Sequence, residues 1–344
     1  MKSERNSNIE LYRIVVMMTI VAHHYVWHSG ILSVAAKDPL TASSIFYTLF
    51  GLWGKVGVNC FVMITGYFMC KSNITLRKYL KLLFEVEFYS IAIFVGMILS
   101  GYETFSKSAL FYAINPIKSI SVDFTSGFLC FMLFIPFLNI LLNQLNRKQH
   151  FRLIGLCLFV YTFWSLIPGF DIQMNYVSWF CVLYFISSFI RLYDYRFKGN
   201  SKFWALLSLL CIGLSCISVI GFIALKQYTG YWVFPYMLVN DSNTALAVLT
   251  AFCSFNFFVS LKARHNRFIN MIASSMFGVL LIHDNASVRH YLWTDWLHIV
   301  DSMNGDYYVL NSFLYVLLIM MIGVAVDQIR IRTVEKGLFY LMDK

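Results

Sequence analysis

Glu10-Leu-Tyr-Arg-Ile-Val-Val-Met-Met-Thr-Ile-Val-Ala-His-His-Tyr-Val-Trp-His28 is the stretch on which the fold turns. It is apolar over most of its length, yet it carries Arg13 and His24. Eleven residues separate the two. At about 100° and 1.5 Å per residue they share one helical stripe, roughly 16 Å apart along the axis. A guanidinium near one membrane surface, in register with an imidazole just beyond mid-bilayer, is a costly arrangement. Ionisable groups at that depth are read first as functional.

Composition supports a membrane setting. The 344 residues are 59% hydrophobic, 18% aromatic and 13% charged, against about 25% charged in a soluble domain. Apolar runs near membrane-spanning length recur from end to end. They predict an all-α polytopic membrane protein: one bundle, residues 1–344, of about ten transmembrane helices. The expected spans are 10–29, 46–70, 82–100, 124–143, 152–168, 176–192, 203–225, 243–261, 272–291 and 308–327.

The net charge of +10 is not a nucleic-acid signature, because the basic residues fall between the apolar segments. Most of the 27 Lys and Arg sort onto alternate connections, including Lys2, Lys71, Arg147, Arg196, Lys198, Arg264, Arg330 and Lys344. The positive-inside rule makes that side, with both termini, cytoplasmic. Acidic and aromatic residues such as Glu103, Asp171, Trp232, Asp241, Trp293 and Asp295 mark the other side. There, segments 101–123 and 292–307 are the expected extracytoplasmic surface. Lys2 and Arg5 would suit a signal peptide, but Glu10, Arg13, His23 and His24 interrupt its apolar core, so the segment is read as retained. Eight cysteines without a CxxC pair read as small buried hydrophobes.

Each polar intramembrane residue has two readings. Arg13 could snorkel to the interface, and His24 could be a structural imidazole bonded to another helix; otherwise the pair is a reaction site. His28 lies one turn above His24 on the same face, while His23 points about 100° away. His24 and His28 have the i, i+4 spacing of metal ligands, but no HExxH glutamate accompanies them, so no metal site is expected. Asn59, Thr65 and Tyr67 either line a site or serve helix packing with Gly66. Lys55 is a further intramembrane charge. In Leu281-Ile-His-Asp-Asn-Ala-Ser-Val-Arg-His290, His283, Asp284 and Asn285 fall mid-span. Asp284 either orients His24 or His283, or forms an ion pair with Arg289 or Lys55.

Five stretches together carry a resemblance: the Arg13-to-His24 element, opened by Asn8-Ile-Glu-Leu-Tyr-Arg13; Asn59-Cys-Phe-Val-Met-Ile-Thr-Gly-Tyr67; Phe134-Ile-Pro-Phe-Leu-Asn139; Leu183-Tyr-Phe-Ile186 with Ile190-Arg-Leu-Tyr193; and Phe277-Gly-Val-Leu-Leu-Ile-His283. In family order they resemble the acyltransferase-3 family of integral membrane acyltransferases. That resemblance implies ten membrane helices. It also implies transfer of an acyl group, most often acetyl from cytoplasmic acetyl-CoA, to a hydroxyl of a cell-surface or lipid-linked glycan. It makes Arg13 and His24 the essential pair. The family usually has Ser where Thr65 stands.

Acyl transfer to a hydroxyl needs a base, an oxyanion stabiliser and a donor site. His24 is expected as base or transient acyl carrier. Arg13 is expected to meet acetyl-CoA, with Lys71, Arg77 and Lys78 as a basic rim. His23, His28, Asn59, Thr65, Tyr67, His283, Asp284 and Asn285 are the candidates for contacts with substrate or oxyanion. No permanently bound cofactor is expected; the partners are an acyl-CoA, a glycan acceptor and the lipid bilayer. The alternative is a transporter or flippase for a glycan or small molecule, with a buried His/Asp proton relay.

Overall fold

The computed structural model describes residues 5–117, 123–167, 174–193, 200–230, 234–303 and 305–338. Lys2, Arg196, Lys198, Lys344, Asp171 and Trp232, all used above to orient the chain, lie outside them. Helix is the only regular structure among the described residues. In order these are α1 (Ser7–His28), α2 (Ile31–Ala35), α3 (Ala42–Phe50), α4 (Gly54–Met69), α5 (Leu76–Leu99), α6 (Lys107–Ala113), α7 (Phe124–Gln144) and α8 (Arg147–Leu158). There follow α9 (Tyr176–Leu192), α10 (Ser201–Thr229), α11 (Ala245–Ser260), α12 (Arg267–Ser274), α13 (Met276–His283), α14 (Ala286–His290) and α15 (Tyr308–Arg330).

Most of the expected spans fall on long helices; 152–168 is α-helical only as far as Leu158. Among the described residues six helical segments are long and apolar enough to cross a membrane, or seven if a bent pair is read as one span; Tyr176–Leu192 and Ala245–Ser260 are apolar but shorter. The exposed residues of these segments are those that lipid accepts, such as Leu206, Leu209, Leu210, Leu214 and Ile217 on α10. The protein is an all-α polytopic membrane protein.

The chain forms two compact units. The first takes Met1–Gly54, Phe88–Leu110 and Ala263–Lys344; the second takes Lys55–Glu87 and Phe111–Lys262.

In the first unit α1 packs against α12, α13 and α15. Its start is fixed at both backbone and side chain. Asn6 caps it by accepting from the Asn8 amide, and the Ser7 amide donates to the Arg264 carbonyl at 2.8 Å. Ser7 Oγ donates to Asn270 Oδ1 at 2.8 Å and accepts from the Asn266 amide at 2.7 Å. These bonds set the height of α1 relative to α12, and therefore of His24 relative to α13. A Cβ on Gly278 would stand 2.3 Å from Asp327 Oδ1, so glycine is what lets α13 approach α15.

Asp327 is fully buried; it accepts from Tyr89 Oη at 2.8 Å and from Arg330 at 2.9 Å. Arg330 also bonds Glu335 at 2.7 Å. The sequence places Arg330 in a basic cytoplasmic tail. It is buried, with the carboxylates of Asp327 and Glu335 taking its charge.

The expected ninth span, 272–291, is not a continuous helix. α12 and α13 are bent by 77° from the helical segment that starts at Ala286. α13 ends at His283, with Asp284 as its C-cap, and Asn285 opens α14 by accepting from the Ser287 amide. Asp and Asn side chains compete with the helical ladder for backbone partners, and two in succession give the chain a place to turn.

In the second unit α9 packs against α7 and α8, and α10 against α11. Asn139 of α7 ties the unit together. Its amide nitrogen is shared among the Met69 carbonyl, the Ser72 carbonyl and Asn73 Oδ1, each at 3.2 Å, while its oxygen accepts from Tyr184 Oη. It thereby binds the last carbonyl of α4, which has no acceptor role within the helix, and the Ser72 carbonyl in the turn that follows. Replacing it, as Asn139→Leu, strands several buried groups. We expect a loss of about 1–3 kcal/mol, read as a lower thermal midpoint in lipid; an unchanged midpoint would remove this role.

Candidate functional site

The site is assembled where α1 passes the end of α13. α1 supplies His24 and His28 on one face; α13 supplies His283, and the turn after it supplies Asp284. His24 Nδ1 lies 3.0 Å from His283 Nε2. His283 is fully buried, and its Nδ1 lies 2.6 Å from the Val279 carbonyl, one turn back on its own helix. The Trp293 ring meets it edge-on, with centroids 6.2 Å apart.

A carbonyl only accepts, so Nδ1 of His283 carries a proton. With both rings neutral, Nε2 of His283 is then the acceptor and Nδ1 of His24 the donor. The lone pair of His24 is left on Nε2. Among the described residues no protein atom hydrogen-bonds that nitrogen, and 15% of the side chain remains accessible.

Asp284 flanks this chain. Its Oδ1 lies 3.6 Å from His24 Nδ1 and 3.6 Å from His28 Nε2. Arg289 Nε donates to the same oxygen and to the Asp284 carbonyl, both at 2.9 Å. Of the two sequence readings of Asp284, the ion pair with Arg289 is the one the contacts show; its carboxylate lies beside His24 without hydrogen-bonding it. Lys55 is not its partner. That ammonium bonds Tyr176 Oη at 2.9 Å, with Asp241 at 3.8 Å, in the second unit.

The other predicted residues divide clearly. His23 points away, its Nδ1 on the Gly51 carbonyl at 2.6 Å, and a Cβ on Gly54 would collide with its ring. Asn285 caps α14. At the far end of the stripe Arg13 pairs with Glu10 at 3.0 Å, and Glu10 also meets Arg5 at 3.3 Å. That clamp is absent from the sequence reading, although the i, i+3 spacing of Glu10 and Arg13 is a signal for it.

Asn59, Thr65 and Tyr67 belong to the second unit. Asn59 is fully buried, donating to the Ser242 carbonyl at 2.7 Å and accepting from Trp179 Nε1 at 2.8 Å. Thr65 bonds its own helix at Phe61, and Tyr67 accepts from Arg191 at 3.1 Å. Lys71, Arg77 and Lys78 are exposed in the same unit.

The two expected outer segments also meet. Tyr102 donates to Asp295, and its ring packs edge-on against Tyr291 at 5.1 Å. The hydrogen bond to that carboxylate pushes the Tyr102 phenol up to about 12.

A family model described as an acyltransferase domain matches residues 6–326, nearly the whole chain. The chain belongs to the acyltransferase-3 family. It is a membrane acyltransferase. No curated protein and no solved structure matches it. The family match takes in every residue of the His24 cluster and of the Asn139 tie, and Arg13 with Glu10.

The proton positions are open to a direct check. Nitrogen NMR of histidine-labelled protein should find His24 protonated on Nδ1 and bare on Nε2. In His283→Phe, which keeps an aromatic ring but removes the acceptor, that preference should disappear. Protonation of Nε2 in the wild type would sink the assignment.

Proposed function

We propose that the protein transfers an acyl group, acetyl in the first instance, from cytoplasmic acetyl-CoA to a hydroxyl of a cell-surface or lipid-linked glycan. His24 is the base. The observation that carries this reading is the hydrogen-bonded series from the Val279 carbonyl through His283 to His24. It presents an imidazole lone pair on Nε2 and holds the ring from behind. A base needs its orienting partner on the opposite nitrogen, and His283 fills that place.

In the reaction Nε2 takes the proton of the acceptor hydroxyl as its oxygen attacks the thioester carbonyl. The tetrahedral intermediate collapses with loss of the CoA thiolate, which recovers the proton from His24. The products are an ester and a free thiol. The imidazolium formed in between lies beside the carboxylate of Asp284, which Arg289 holds in place. Arg13, about 16 Å away along α1, meets the phosphates or pantetheine arm of the donor on the cytoplasmic side, exchanging its bond with Glu10 for them.

Thiol release from acetyl-CoA by the purified protein in lipid is the test. His24→Ala should lower the rate about 10²- to 10⁴-fold, with the protein still folded by thermal melt. A folded His24→Ala that keeps wild-type release would exclude His24 as base. Arg13→Gln should act chiefly on KM for acetyl-CoA, raising it about tenfold or more, as loss of a charged hydrogen bond does. An unchanged KM would place the donor elsewhere.

The bend after His283 favours one second reading, a transporter whose protons pass along His24, His283 and Asp284. Broken helices line such pathways. Its discriminator is the same assay, since a transporter frees no thiol.

A further inference from the structure

His28 has no part in the reaction above, yet its imidazole is held against the same carboxylate oxygen as His24. One ring nitrogen each of His24 and His28 and a carboxylate oxygen of Asp284 lie within 4.8 Å of one another. His24 Nδ1 and His28 Nε2 are each 3.6 Å from Asp284 Oδ1. That is too long for a hydrogen bond. It is close to the roughly 3.3 Å that separates neighbouring ligand atoms around a tetrahedral zinc with bonds of about 2.0–2.1 Å.

We propose that His24, His28 and Asp284 bind a divalent transition-metal ion of the Zn²⁺ class, and that the ion switches the base off. Two imidazole nitrogens and one carboxylate oxygen suit such a metal, whereas Mg²⁺ and Ca²⁺ favour oxygen throughout. Three protein ligands leave a fourth position for water. The spacing of His24 and His28 on α1 sets two ligands one turn apart, and the turn after α13 brings the third. Arg289 already neutralises Asp284, but a carboxylate oxygen has lone pairs for both a guanidinium and a metal.

Inhibition follows from the tautomer. With both rings neutral, the Val279 carbonyl and His283 assign the proton of His24 to Nδ1. A metal on Nδ1 needs that lone pair, so the proton must move, through exchange with water, to Nε2. The nitrogen that accepts the acceptor's proton is then occupied. No bond in any substrate changes, and the ion is released by competition with a chelator. This inhibitory half rests on His24 being the base; the binding half does not.

The experiment titrates the full-length protein in lipid with Zn²⁺ against a chelating dye, and with Co²⁺ by its visible absorption. Wild type, His28→Ala and His290→Ala are compared. His290 also faces a carboxylate, Asp295 at 3.6 Å, and serves as the surface control.

Wild type should bind Zn²⁺, and His28→Ala should bind it at least about 10- to 100-fold more weakly, the range lost even when an outer partner of a ligand is removed. His290→Ala should match wild type. Where His28→Ala fails to fold by thermal melt, His28→Gln takes its place. Absent binding, or equal affinity in wild type and the His28 variant, overturns the site.

Zn²⁺ should also slow thiol release in wild type, and the slowing should be lost in His28→Ala when each protein's rate with metal is taken relative to its own rate without it. Binding at His28 with no slowing overturns the switch and leaves the site. A protein that binds Zn²⁺ in this pattern but frees no thiol overturns the acyltransferase base and the switch with it, while the metal site stands.

Discussion

The hydrogen bond between His24 and His283 is the interaction on which the rest of the site depends. It joins α1 to α13 at the level where the second helix ends, and it fixes which nitrogen of His24 is free. A ring held only by van der Waals contact could present either nitrogen. Here the choice traces back to the Val279 carbonyl, a backbone group whose position the helix itself dictates. Much of the first unit serves that alignment. Ser7 and Asn6 set the height of α1, while Gly278 lets α13 settle against α15 beside the buried Asp327–Arg330–Glu335 group.

The break after His283 is the second constraint. In an unbroken helix Asp284 would point about 100° from His283 and face a different neighbour. Ending α13 there allows the carboxylate to approach both α1 imidazoles while Arg289 reaches back to it. A helix end in an apolar setting leaves backbone groups to be satisfied. The Asn285 side chain and the Arg289 guanidinium each take one of them. The polar turn is thus both the cost of the bend and the source of the carboxylate that faces the two imidazoles.

The second unit holds most of the other polar residues in the family-like stretches, and there they do structural work. Asn59 ties α4 to α9 and to the Ser242 backbone, Asn139 closes the end of α4, and Arg191 lies over Tyr67 with 4.8 Å from its guanidinium carbon to the ring centroid. A buried amide with both ends engaged rigidifies a helix crossing. The same residue types therefore bridge helices in the second unit and gather into the His24 cluster in the first, and spacing alone does not tell the two arrangements apart.

The sequence by itself determined the class of fold and the first helix of the site. Apolar runs have a length that only a bilayer demands, and a helix of fixed pitch puts Arg13, His24 and His28 on one stripe wherever the chain goes. It also carried enough local pattern to name the family. Tertiary structure decided the partners. That His24 meets His283, that Asp284 belongs with Arg289 while Lys55 goes to Tyr176, and that Arg330 is buried all depend on contacts between residues far apart in the chain. No periodicity encodes them. The bend at Asp284 lies between the two cases. Its cause, adjacent Asp and Asn, is written locally, but an apolar run of full spanning length hides it until the helices are packed.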